Sequence, residues 1–228
     1  MNRKRMSSLR DTVAALVISL LLLAGKATAG IYEDLLKAIE GNDTQTVTDI
    51  LQRGMDVNTV DKSGNSLLML AIEKGNADLV RFLVAHRAKV NVRNQYGDTP
   101  LMLASLKGQR EIAKMLVSAG ADINPPGWTP LMYAAYEGQV EVLEYLIGQG
   151  AEVDATAPNH ATALMLASKN GHFEAVKLLL EADADPDYKT SDGITALKWA
   201  AQGGHGNIID LLKKAGADAR ESEAQTNK

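Results

Sequence analysis

Apolar and polar positions alternate along this chain in a repeating unit, not in one long block. Five segments align directly: Ser66-Leu67-Leu68-Met69-Leu70-Ala71, Thr99-Pro100-Leu101-Met102-Leu103-Ala104, Thr129-Pro130-Leu131-Met132-Tyr133-Ala134, Thr162-Ala163-Leu164-Met165-Leu166-Ala167 and Thr195-Ala196-Leu197-Lys198-Trp199-Ala200. They are offset by 33, 30, 33 and 33 residues. Within one unit, Leu101 and Ala104, then Ile112, Leu116 and Val117, form two short apolar stripes at helical spacing. Ser or Thr is placed to cap the first helix, and Pro fits its first turn. Gly108 separates the two stripes, as do Gly75, Gly138, Gly171 and Gly204 in their units. Gly120 follows the second stripe, where a left-handed residue ends a helix. A second block follows each pair: Gly120-Ala121-Asp122-Ile123-Asn124, Gly150-Ala151-Glu152-Val153-Asp154 and Gly216-Ala217-Asp218, with an earlier copy at Gly54-Met55-Asp56-Val57-Asn58. The pattern predicts an all-α chain of helix-turn-helix units, each burying its apolar face only against its neighbours.

These blocks resemble ankyrin repeats, whose hallmark is Thr-Pro-Leu-His-x-Ala at a period of about 33 residues. The resemblance runs from Ile31 to Ala219. It implies an ankyrin-repeat solenoid with short β-hairpin fingers and six repeats, at about 30–61, 62–94, 95–126, 127–159, 160–192 and 193–220. The end repeats act as caps, and Thr44, Gln45, Thr46 and Thr48 make the first more polar. Residues 221–228 are nearly devoid of apolar side chains and read as a disordered tail. Two features depart from the family pattern. The His of the hallmark is Met69, Met102, Met132 and Met165, then Lys198, which exchanges a hydrogen-bonding group for a flexible apolar filler in four repeats. The spacing also drops to 30 where Asn124 is followed by Pro125-Pro126-Gly127, so three residues of one finger are missing. A truncated finger and a notch beside Trp128 are expected there.

The N-terminus has a different texture. Arg3, Lys4, Arg5 and Arg10 precede an uncharged run from Thr12 to Gly25, and Ala27-Thr28-Ala29 closes it. This is the pattern of a secretory signal peptide cleaved after Ala29. The run is 14 residues long. As a helix it would reach roughly 21 Å, short of the roughly 30 Å of a hydrocarbon core. No stable membrane anchor is therefore expected.

Composition narrows the partners. Of 24 basic and 28 acidic side chains the leader holds five and one, so the mature chain keeps 19 and 27, a charge near −8. Such a chain repels polyanions, and nucleic acid is not expected to bind. No cysteine is present, so packing alone holds the exported chain and no lipoprotein anchor can form. The periplasm is the expected location and a monomer the expected state.

Catalytic and metal chemistry finds no foothold. His172 and His205 follow the helix-breaking glycines, a structural position in ankyrin repeats, and His86 and His160 are isolated. Asp183, Asp185, Asp187 and Asp192 approach a calcium loop, but its sixth and twelfth positions are Tyr188 and Ile194. Gly203-Gly204-His205-Gly206 lacks the Lys-Ser/Thr of a phosphate loop. No enzyme activity, metal or cofactor is expected.

Partners of ankyrin repeats lie against the fingers and the first helices, the resemblance implies. At those positions Tyr96, Leu106, Trp128 and Tyr136 are large side chains that the stack does not require, and Arg93 and Lys107 accompany them. Trp, Tyr and Arg are the side chains most enriched at interface hot spots. The expected function is protein binding by a periplasmic scaffold, such as one that supports stress defence. The alternatives are an inhibitor guarding against a cell-wall hydrolase and a secreted effector that binds a host protein.

Overall fold

The computed structural model describes residues 30–216. The expected leader (1–29) and tail (221–228) lie outside the described residues. The chain forms two compact units that divide between Asp56 and Val57.

In the first unit, helix α1 occupies residues 30–40 of the described chain and α2 spans Thr44–Gln52. Leu35, Ala38, Ile39, Val47 and Ile50 are its buried apolar side chains among the described residues. Asp43 caps α2 by accepting from the Thr46 backbone at 3.0 Å and from its hydroxyl at 2.6 Å. Those two bonds, the hydroxyl's foremost, hold the Asp43 carboxyl below its ordinary value. A groove of about 760 Å³ lies on this unit, lined by Ile31, Ala38, Ile50 and Met55 with Lys37 and Arg53 among them.

The second unit is a stack of helix pairs. α3 (Leu67–Glu73), α5 (Pro100–Leu106), α7 (Pro130–Glu137), α9 (Ala163–Asn170) and α11 (Ala196–Gln202) form one row, each packed on the next. α4 (Ala77–Ala85), α6 (Arg110–Ser118), α8 (Val140–Gly148), α10 (Phe173–Glu181) and α12 (Gly206–Lys214) form the other. Ser66, Thr99, Thr129, Thr162 and Thr195 cap the first row, each side chain accepting from the backbone N–H three residues on. The four methionines of the repeat block are buried, as expected of a filler. One keeps more than that role: the Met102 sulfur accepts from the Thr99 N–H at 3.3 Å and completes a reciprocal cap. The outer row carries exposed ion pairs such as Arg81–Asp78 and Lys114–Glu111, which contribute only tenths of a kcal/mol.

Two sets of side chains staple successive repeats. The first follows the helix-breaking glycines. Gln109 donates to the Ile72 carbonyl at 2.8 Å and Gln139 to the Leu106 carbonyl at 3.2 Å. The His172 ring is 2.9 Å from the Tyr136 carbonyl, and that of His205 is 3.1 Å from the Lys169 carbonyl. The structural role expected of the two histidines is therefore shared by glutamines in the central repeats.

The second set ends each repeat. The Asn58, Asn91 and Asn124 side chains accept from the N–H groups of Lys89, Asp122 and Glu152, all at 2.9 Å. Asn91 and Asn124 also donate to the carbonyls of Gly120 and Gly150 at 2.9 Å. Asp154 holds the next position and accepts from Asp185 N–H at 3.1 Å, but a carboxylate cannot donate in return. Burial, reinforced by the nearby Asp185 charge, raises its pKa against the bond from Asp185 N–H. A carboxyl with a raised folded-state pKa contributes stability at low pH that is lost as pH rises through that pKa. Asp154→Asn should therefore add about 1 kcal/mol at neutral pH, the value of one restored hydrogen bond. The gain should shrink below about pH 4, where the native carboxyl is protonated and can itself donate. Urea titrations of both chains at the two pH values would check it.

Each helix of the outer row from α4 to α10 ends in the same bond pattern. Ala88, Ala121, Ala151 and Ala184 donate to the carbonyls of Leu83, Leu116, Leu146 and Leu179. The residue before each is left-handed: Gly120 and Gly150 at φ 87°, but Arg87 at 64° and Asp183 at 61°. A side chain there costs roughly 1–2 kcal/mol. Arg87→Gly should stabilise the protein by about 1 kcal/mol after the added freedom of the unfolded chain is deducted, a rise of about 3 °C in thermal midpoint.

Candidate functional site

The fingers connect each repeat to the next. In the finger Asp61–Asn65, Asp61 N–H donates to the Asn65 carbonyl at 2.9 Å, and in Asn94–Asp98 the matching bond is 3.1 Å. The fingers Ala157–Ala161 and Thr190–Ile194 close in the same way at 2.9 and 3.0 Å. Each turns through a residue with positive φ: Gly64, Gly97, His160 and Gly193. These are hydrogen-bonded turns more than sheet; the bridge Val60–Ser66 is the one β-bridge among the described residues.

Between the second and third of these fingers one is missing. Gly127 keeps the turn position at φ 86°, while Pro125 and Pro126 stand where the junction of the second and third repeats has Val92 to Tyr96. The expected truncation is present, and the excised residues come from the arm before the turn.

Neighbouring fingers are joined by rungs. Gln95 N–H donates to the Ser63 carbonyl at 3.2 Å, and Ser191 N–H to the Asn159 carbonyl at 3.0 Å. The ladder breaks at the missing finger. Among the described residues no N–H reaches the Tyr96 carbonyl, the counterpart of Ser63 and Asn159. On the far side, the counterpart of Gln95 and Ser191 is Pro158, which has no N–H to leave unpaired.

Side chains bridge the break instead. The Tyr133 hydroxyl donates to the Asp98 carboxylate, and its ring meets Trp128 edge-on at 5.8 Å and 78°. Burial first, and the Asp98 carboxylate second, push the Tyr133 phenol well above its ordinary value, and Arg93 partly opposes them. Arg93 also donates to the Gly97 carbonyl at 2.7 Å.

The expected binding residues therefore divide. Tyr96 is 73% exposed, Tyr136 44% and Trp128 38%, and Arg93 and Lys107 are exposed too. Leu106, at the end of α5, is half-buried. Tyr133, the residue that ties Trp128, Asp98 and Arg93 together, escaped notice because Leu70, Leu103 and Leu166 fill its position in other repeats. Its signal is a polar ring in that leucine column.

Among the described residues, no group of three or more His, Cys, Asp or Glu could hold a metal ion. None of their helices is long and apolar enough to cross a membrane.

Fold and edge together define a helical-repeat scaffold with a row of turns along one edge. A family model of ankyrin repeats in three copies matches residues 35–126 and again 131–223, and one of ankyrin repeats in many copies matches 111–147. The chain belongs to the ankyrin-repeat family, whose members are typically non-catalytic modules that bind other proteins. The gap between the two longer matches falls at the short finger. No curated protein matches the chain.

Proposed function

We propose that this protein is a non-catalytic binding scaffold of the periplasm, exported by its N-terminal leader, that holds another protein against the interrupted finger edge. The exposed rings of Tyr96 and Trp128, on either side of the break, carry this reading, and Tyr136 adds a third exposed ring at the end of α7. Exposed aromatic side chains grouped on a rigid stack are the usual centre of a protein interface. The basic and apolar leader supports export, and the absence of cysteine suits a chain held by packing alone. A role in periplasmic stress defence is one use of such a scaffold, and a deletion strain should then be sensitive to peroxide.

Affinity capture from periplasmic extract, with the partner identified by mass spectrometry, gives the complex to test. Replacing Trp128 and Tyr136 with Ala should weaken it about tenfold, or roughly 1.4 kcal/mol. Unchanged affinity in a variant with the native circular dichroism spectrum would remove the interface from this edge. N-terminal sequencing should find the periplasmic chain starting at Gly30; recovery from the cytoplasmic fraction with Met1 intact would exclude the location.

A further inference from the structure

We propose that, in the chain that still carries its leader, the apolar run from Thr12 to Gly25 folds back as a helix into the groove between α1 and α2. The groove belongs to the first unit alone, so the inference is independent of the finger edge.

Three observations lead to it. First, the groove has the form of a seat for a helix. Its lining recurs at helical spacing on both walls, as Ile31, Asp34 and Ala38 on α1 and as Thr46, Ile50 and Arg53 on α2. It therefore follows both helices along their length, about 16 Å for α1, and encloses about 760 Å³. Ile31 is 44% exposed at one end, and Ala38 and Ile50 form the floor. In the third repeat the places of Asp34, Lys37 and Thr46 are held by Pro100, Leu103 and Ile112, all buried. The matching face is covered there, and a further helix covers it here.

Second, the leader is joined at the right place by the right length of chain. It meets α1 at Gly30, next to Ile31 in the groove wall. Only the four residues Lys26 to Ala29 separate it from the apolar run. Loops of about 2–5 residues reverse the chain between antiparallel helices. The run then extends roughly 21 Å as a helix, enough to cover the groove from end to end.

Third, the charges match when both signs are counted. The leader carries five bases and one acid, and residues 30–56 carry two bases and six acids. In the lining itself Asp34 and Asp43 balance Lys37 and Arg53, so the apolar run meets no net charge. The acidic excess stands outside the lining, and Glu33 and Glu40 expose part of it at the two ends of α1. A run laid antiparallel to α1 carries Arg10 toward Glu40 and leaves Lys26 beside Glu33. A second copy of the chain would instead bring the same acidic surface to the groove. The leader is thus a cover for the first repeat. Cleavage after Ala29, which rests on the export reading, removes the cover and opens the groove in the mature chain.

The test uses the full chain, made by cell-free synthesis without membranes so that the leader is retained. Because the chain has no cysteine of its own, a disulfide between two introduced cysteines reports a single contact. Cysteines placed singly at positions 16 to 19 should pair with Thr46→Cys, and those at 21 to 24 with Arg53→Cys. In each set about one or two positions should cross-link, because one face of a helix meets the groove. Their yield should be about tenfold above that of the same leader cysteine with Glu181→Cys on α10. Ile31→Glu changes a residue that is already partly exposed, so the unit still folds, and it should lower the yield about tenfold. Yields no higher than with Glu181→Cys, an even yield across all positions, or full yield in Ile31→Glu overturns the proposal. Should Thr46→Cys not fold, the exposed Arg53→Cys decides by the same criteria.

Discussion

Gly138→Ala should lower the stability of the protein by about 3 kcal/mol. Gly138 sits at φ 70°, where a side chain costs roughly 1–2 kcal/mol on its own. A Cβ there would also lie 2.6 Å from the His172 ring, which is folded over the glycine to reach the Tyr136 carbonyl. The ring must move, and the hydrogen bond between repeats, worth about 1 kcal/mol, goes with it. Gly120→Ala is the control. Its φ is 87°, but nothing lies within 4 Å of the added carbon, so only the backbone term applies. Denaturant unfolding of both variants separates the two contributions. If they lose the same stability, the ring makes no demand on the glycine.

Tyr133→Phe is the second large effect, at about 2 kcal/mol. The substitution keeps the ring against Trp128 and removes the hydroxyl that satisfies the Asp98 carboxylate across the missing finger. A hydrogen bond to a charged group is worth roughly 1.5–3 kcal/mol. The pH dependence has a definite sign. The native phenol ionises above its unfolded value, so the native state holds its proton where the unfolded chain has released it. The stability it gives is complete below about pH 10 and declines above it. The difference between wild type and Tyr133→Phe should thus be constant from neutral pH to about 9 and narrow beyond 10. A difference that grows at alkaline pH would contradict the assignment. Binding at Trp128 should weaken as well, because the indole loses a fixed neighbour.

The parts of the fold legible in the sequence are those set by local chemistry. Thr99, Thr129 and Thr162 cap helices because each side chain needs only an N–H three residues away. Gly138 and Gly171 are legible as breaks because positive φ selects glycine. The shortened finger could be counted from spacing alone. The staples between repeats were not legible, since Gln109 and Gln139 replace a histidine with a different side chain that reaches the same carbonyl. The significance of Pro158 was hidden for a related reason: its missing donor matters only in the rung position, 32 residues after its partner in the preceding finger, that Gln95 and Ser191 fill elsewhere. The half-burial of Leu106 was not legible, because its sequence position does not show how the neighbouring helices pack around it.

The staples have a consequence for how the chain is made. The hydrogen bonds that join one repeat to the next span at most 37 residues, from Gln109 back to Ile72. None of these staples asks an early segment to wait for a distant one, which keeps contact order low and folding fast. A chain that emerges N-terminus first, from a ribosome or a secretion channel, can therefore lock each pair of helices onto its predecessor as soon as the following turn is clear. Assembly in that direction needs no disulfide exchange and leaves at most one unfinished repeat open to proteases at any moment.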